Sequence, residues 1–175
     1  MGLPQQRRTA WIHTSAMSIE QSPLILAFQD LVRAKDASEL GRRATANARA
    51  LLGADGCTLV LRDGDACAYV EEDAIAPLWK GRRFALDACM PGLVMRSHGY
   101  LVIGDVRDDP RVPREVYAPT FVRGLALVSI GRDQALGALE ACWSEPHEAD
   151  ASELERLRTL AEAAELMLSG CLRHA

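Results

Sequence analysis

The feature that most constrains this chain is a change of hydrophobic period at Gly53. Before it, apolar residues return every three or four positions, as on a helix buried along one face. After it they alternate, as in half-buried strands. Helix grammar opens at Ser22-Pro23, with serine at the N-cap and proline at the first helical position of "PLILAFQDLVRA". Leu24, Phe28, Leu31 and Val32 share one face of that segment. A second helix is predicted in "DASELGRRATANARALLG", with Asp36 at the N-cap, Glu39 three residues on as in a capping box, and Gly53 as the stop. "DASEL" returns verbatim at 150–154, but its flanks do not repeat, so both copies read as one helix-start signal used twice.

Beyond Gly53, "CTLVLRDGDACAYVEE" is two apolar runs around Asp63-Gly64, a hairpin signal. "RFALDAC" (83–89) alternates Phe84, Leu86 and Ala88 against Arg83, Ala85 and Asp87, and reads as a third strand. "YLVIGDV" (100–106) is a fourth; "RGLALVSI" (123–130) and "ALGALEACW" (135–143), joined by "GRDQ", form a second hairpin. "MPGLVMRSHG" and "VPREVYAPTF" read as short helical insertions before strands four and five, the second broken by Pro119. Residues 151–172 form a last helix, with Leu154, Leu157, Ala161, Ala164, Leu168 and Cys171 in the a/d spacing of a coiled-coil seam. That seam suits packing on the chain's own body or dimerisation. The fold class is therefore α+β: a six-stranded antiparallel sheet with the N- and C-terminal helices mainly on one face and short helical insertions over the other.

At 175 residues the length predicts one domain, assigned to 21–173, behind a flexible leader at 1–20. The net charge of −4, with arginine pairs only at 7–8, 42–43 and 82–83, argues against a nucleic-acid partner. No apolar run reaches the ~18 residues of a membrane span. The basic N-terminal stretch has no apolar region behind it, so a secretory signal is not predicted. Cys57, Cys67, Cys89, Cys142 and Cys171 are widely spaced with no C-x-x-C, which predicts reduced thiols in a cytoplasm. No histidine stands at ligand-like spacing from them, and no metal is expected.

The order of elements, with the phrases "LLGADGCTLVLRDGD" (51–65), "MPGLVMRSHGYLVIGDVRDDPRV" (90–112), "FVRGLALVSIGRDQALGALEACW" (121–143) and "SELERLRTLAEAAELML" (152–168), resembles the GAF domain family of small-molecule sensors. "APLWKGRRFALDACMPGLVMR" and "DPRVPREVYAPTFVRGLALVSI" are similar to GAF domains that precede the catalytic parts of bacterial sensor histidine kinases. The resemblance implies a ligand or chromophore held between one sheet face and the insertions joining strands three to five, and dimerisation through terminal helices. Covalent bilin attachment would need a cysteine in "REVYAPTFVR" (114–123), which has none. The cyclic-nucleotide subclass needs an N-K…F…D-E motif, and the sole asparagine is Asn47. In free methionine sulfoxide reductases several cysteines surround the pocket; Cys89 is similar in position to one, but the partner expected near 113–120 is missing. No P-loop, phosphoacceptor-histidine box or asparagine-bearing ATP box makes the chain a kinase.

Aromatic residues are only 5% of the chain, yet Trp79, Phe84, Tyr117, Phe121 and Trp143 all fall on or beside the elements expected to enclose the pocket. Tyr117, with its hydroxyl and its place in the lid, is the favoured hydrogen-bonding residue. Cys89 precedes a helix N-terminus, which lowers a thiol pKa and makes it the most reactive cysteine. In "GDVRDDPRVP" (104–113), Arg107, Arg111 and Pro110 favour a turn over a metal site. Asp105 alone is expected near the pocket rim. The predicted ligand-binding set is thus Trp79, Phe84, Cys89, Asp105, Tyr117, Phe121 and Trp143, with no catalytic residue.

The resulting expectation is a cytoplasmic, bacterial GAF-type signalling module. It binds an unidentified small molecule, forms a homodimer through its terminal helices, and relays to an output such as a two-component histidine kinase. Two alternatives stand beside it: a small thiol reductase using Cys89, and a ligandless dimerisation module.

Overall fold

The structure, a computed structural model, describes residues 22–172, with side chains through residue 170. The predicted leader and the Cys171 side chain lie outside the described residues. Two helices, α1 (Pro23–Leu31) and α2 (Ala37–Leu52), precede the hairpin β1 (Gly56–Asp63) and β2 (Ala66–Ala74). Then come β3 (Arg83–Ala85), α3 (Met90–Ser97), β4 (Tyr100–Ile103) and the one-turn α4 (Arg114–Tyr117). The hairpin β5 (Gly124–Ile130) and β6 (Gly137–Trp143) leads to α5 (Ala151–Leu172).

All strand pairs are antiparallel, in the order β3-β2-β1-β6-β5-β4, so the first and last strands of the chain meet at the centre. The β1–β2 turn places Gly64 at φ 61°, a conformation that costs glycine nothing. Both "DASEL" copies act as caps: Asp36 accepts from the Glu39 amide at 2.7 Å and Asp150 from the Glu153 amide at 2.8 Å. At the second copy Glu153 reciprocates by accepting from the Asp150 amide at 2.8 Å, completing a capping box. Ser22 sits at the N-cap of α1, but its side chain makes no cap bond.

The sheet has a core on each face. On one, Leu31, Leu40, Ala44, Leu157, Leu160 and Ala164 of the three long helices close over Leu59, Val128, Leu139 and Trp143. On the other, Met90, Val94 and Met95 of α3, with Trp79 and Tyr117, close over Val60, Tyr69, Leu125 and Leu127. Layering of apolar faces on both sides of one sheet is what makes it stable.

Several local expectations change. The third strand ends at Ala85, because the Leu86 amide donates to the Asp65 carbonyl at 2.9 Å and the chain turns there to pass close to α3. The approach is so tight that a Cβ on Gly92 would lie 1.7 Å from the Leu86 oxygen. On α1 the buried residues are Ala27 and Leu31, whereas Val32 is exposed and Leu24 half-buried, because the helix packs on α2 and α5 through its small residue. Of the α5 seam, Leu157, Ala161, Ala164 and Leu168 are buried within the chain and Leu154 is half-buried, and Leu160 and Ala163 widen it beyond the a/d pattern.

Candidate functional site

The face away from the long helices is organised around one buried acid. Strand alternation turns Leu139, Ala141 and Trp143 of β6 toward the helices and Ala138, Glu140 and Cys142 away from them. Glu140 is fully buried. Its two oxygens accept from the Thr58 hydroxyl on β1 and the Tyr117 hydroxyl on α4, each at 3.0 Å. Both partners are neutral, so neither compensates the charge that ionisation would place there. Burial pushes the carboxyl up to about 7, against the smaller downward pull of the two hydroxyls.

An aromatic chain covers this acid. The Glu72 carboxylate accepts from the amides of Leu78 (3.1 Å), Trp79 (2.9 Å) and Lys80 (2.9 Å), holding the loop after β2 so that the Trp79 ring points inward. The indole meets Tyr117 edge-on at 4.9 Å and Tyr69 at 5.3 Å, and Tyr69 meets Phe84 edge-on at 5.6 Å. Trp79 Nε1 donates to the Val116 carbonyl at 3.4 Å, tying α4 to the same cluster. The Tyr117 hydroxyl is itself pushed well above its ordinary value by burial, then by the nearby Glu140 charge.

Two cysteines border the cluster. Cys67 on β2 and Cys89 at the N-cap of α3 are both buried in this core. The Cys89 thiol is lowered, first by the neighbouring Cys67 thiol and then by the Gly92 amide, while Cys67 is raised. Cys89 opens on a depression of about 430 Å³ shared with Pro110, Arg111, Val112 and Pro113. A second recess, of about 320 Å³, lies against Val106, Arg107, Arg114, Tyr117 and Thr120.

Of the seven residues predicted as ligand-binding, Trp79, Phe84, Cys89 and Tyr117 gather on this face, with Phe121 packed at its margin near Leu78 and Gly56. Trp143 lies across the sheet in the helical core, stacked on His147 at 4.1 Å. Asp105 is engaged by Arg123, whose Nε donates to it at 3.0 Å and whose Nη2 makes a second contact, and it also accepts from the Arg107 amide at 3.0 Å. The Arg123 guanidinium holds this carboxyl down to about 2. Asp109 accepts from the Arg111 amide and side chain, both at 2.9 Å. "GDVRDDPRVP" thus spends two of its acids on turns and arginines.

Sequence reasoning missed Glu140, Thr58, Tyr69, Glu72 and Cys67. The signal for Glu140 was present: it is the single acid in the apolar run "ALGALEACW", inside a strand buried on both faces. Cys67 could not be found that way, since 22 positions separate it from Cys89.

The GAF domain family profile matches residues 36–168. Among solved structures, the GAF domain of an Acinetobacter phosphoenolpyruvate-protein phosphotransferase superposes with a TM-score of 0.75 at 14% identity, covering 86% of this chain and 93% of that one. The free methionine-R-sulfoxide reductase of Neisseria meningitidis, solved with its substrate, has a TM-score of 0.75 at 18% identity, covering 87% and 89%. The chromophore-binding domain of the R. palustris bacteriophytochrome RpBphP3 has a TM-score of 0.70 at 15% identity, covering 87% of this chain and 60% of that one. Comparison with curated protein sequences gives no match. At these identities the superpositions speak for the fold, and the profile for the family: the chain belongs to the GAF domain family.

Proposed function

We propose that this chain is a small-molecule-sensing module whose ligand is received between α4 and the sheet, against Glu140. One observation carries the reading: among the described residues a fully buried carboxyl meets two hydroxyls and no cation, and one of the hydroxyls comes from a one-turn helix beside an open recess. A ligand with hydrogen-bond donors can take the place of Tyr117 at that carboxyl, whereas an empty buried acid would have to stay neutral or unpaired. The output runs through β6, which carries Glu140 on one face and, on the other, Leu139 and Trp143 packed against α1, α2 and α5. Ligand binding then biases the packing of the terminal helices as a population shift.

The reading extends to a domain spanning 21–173, acting in the cytoplasm without catalysis of its own. It dimerises through apolar side chains left exposed on the terminal helices, Ile25, Leu26 and Leu166, and serves a histidine kinase or similar output. Among the described residues no helix is long and apolar enough to cross a membrane. A ligandless dimerisation module is the second reading, favoured by the way Tyr69, Trp79 and Tyr117 themselves fill the space over Glu140.

Native mass spectrometry of protein purified from its own host separates the two. Sensing requires a non-covalent 1:1 adduct in the wild type that Glu140→Leu loses. A bare wild-type chain favours the ligandless module. Spin labels at positions 25 and 155 then report whether the adduct changes helix–helix distances; identical distances with and without it would remove the relay.

A further inference from the structure

We infer that the recess beside α4 is an oxyanion seat. Arg107 and Arg114 at its mouth take the acid group of a small organic anion, and Val106, Tyr117 and Val122 receive its apolar body. This deepens the sensing reading by naming the class of ligand. It rests on that reading only in taking the recess as the ligand's way in, and does not need Tyr117 to leave Glu140.

The charges of this part of the chain are sorted. Residues 104–123 hold four acids and four arginines. Asp105 is taken by Arg123 and Asp109 by Arg111. Neither Arg107 nor Arg114 makes an ion pair among the described residues. Both line the recess, whereas the two acids left over, Asp108 and Glu115, do not, and Glu115 lies instead on the depression beside Cys89. The charged side chains of the recess are thus two guanidiniums, each permanently cationic and shaped to hold an oxyanion with two donors.

Both arginines stand on backbone that is already fixed. The Asp105 side chain accepts from the Arg107 amide at 3.0 Å and its carbonyl from the Asp108 amide at 3.2 Å, so the acid bound to Arg123 also sets the turn that presents Arg107. Arg114 opens α4, where its carbonyl accepts from the Ala118 amide at 2.8 Å. Its Nη2 reaches the Arg107 carbonyl at 3.5 Å, which brings the two cationic segments together at the mouth. Like charges with no anion between them repel, and a bound oxyanion removes that repulsion. Beneath them the floor is apolar: Val106, Tyr117 and Val122 are all buried. The Thr120 hydroxyl is engaged, donating to the Tyr117 carbonyl at 2.8 Å and accepting from the Val122 amide at 3.2 Å. At about 320 Å³ the recess lies at the small end of ligand pockets.

The test titrates the full chain with 8-anilinonaphthalene-1-sulfonate, an apolar body with one oxyanion, and with N-phenyl-1-naphthylamine, the same rings without it. The sulfonate should bind with a rise in fluorescence and weaken as salt is added. Arg107→Gln together with Arg114→Gln should weaken it roughly tenfold and leave the neutral amine unchanged. Both side chains are exposed and unpaired with any described acid, so this variant should keep the wild-type melting temperature. Phenyl phosphate and benzoate should each displace the sulfonate, and the better of the two tells a phosphate from a carboxylate ligand. Inorganic phosphate, which has no apolar body, should need a roughly tenfold higher concentration than phenyl phosphate. An equal loss of both probes in the double variant, no loss of either, displacement by neither acid, or inorganic phosphate matching phenyl phosphate would overturn the proposal. Glu140→Leu keeps the two readings apart. Sulfonate binding that survives it, beside a native adduct that also survives, leaves the seat standing while the Glu140 reading falls. An adduct lost in Glu140→Leu but kept in the arginine variant does the reverse.

Discussion

At the scale of single residues the controlling fact is that Glu140 is a buried acid with no cationic partner among the described residues. Its carboxyl titrates at about 7 when folded and near 4.5 when exposed, so the folded state holds the proton more tightly. Stability from this group is fully present below pH 4.5 and is lost as pH rises to about 7, by roughly 3 kcal/mol in all. Urea unfolding at a series of pH values should show that decline in the wild type and not in Glu140→Gln. Tyr117→Phe removes a hydrogen bond that favours the ionised acid, so it should raise the Glu140 pKa further and cost ~1–3 kcal/mol, more at pH 8 than at pH 5. An equal cost at both values would mean that the hydroxyl serves packing alone. Asp105 behaves oppositely: held down to about 2 by Arg123, its contribution is present at neutral pH and is lost only as acid titrates it.

At the scale of elements, the positions of caps and close contacts matter more than propensity. Asp36→Ala and Asp150→Ala should each cost about 1 kcal/mol in chemical denaturation, because each removes the acceptor for a first-turn amide. Gly92→Ala should be far worse than the usual gain from replacing a helical glycine. Its methyl would overlap the Leu86 carbonyl, so α3 must lift away from the β3 turn, at a cost of several kcal/mol. A melting temperature at or above that of the wild type would refute the close approach. These elements were largely legible in sequence: caps at Asp36 and Asp150, the stop at Gly53, and the hairpin at Asp63-Gly64 are local chemistry read within a few residues. The third strand was overestimated because alternation continues past the point at which α3 docks, and docking is not a local property.

At the scale of the whole molecule, the long helices spend their apolar seam on the sheet they cover, and what remains exposed is a smaller set. Ile25, Leu26 and Leu166 are each about half exposed or more, at 50%, 49% and 61%. If the terminal helices form the dimer, Ile25→Asp with Leu166→Asp should give a monomer by sedimentation while leaving the melting temperature nearly unchanged, since surface positions tolerate charge. A dimer surviving both changes places the interface elsewhere.

What the sequence determined by itself was everything set by short-range periodicity: helix starts, strand alternation, the order of elements, and from these the α+β class and the GAF resemblance. Four of the residues it named, Trp79, Phe84, Cys89 and Tyr117, come together on one face of the sheet as those elements fold. Only the tertiary structure decided which side of the sheet each candidate faces and what it meets there. Trp143 lies one sheet-thickness from the rest because β6 alternates, and Asp105 is consumed by an arginine eighteen residues on. Glu140 becomes important through burial on both sides, and Cys89 joins the same core as Cys67 through a turn that no local pattern announces. The physical reason is common to all four. A residue's type and period are carried by its neighbours in the chain, but its desolvation and its partners are set by chain segments that meet only when the core closes.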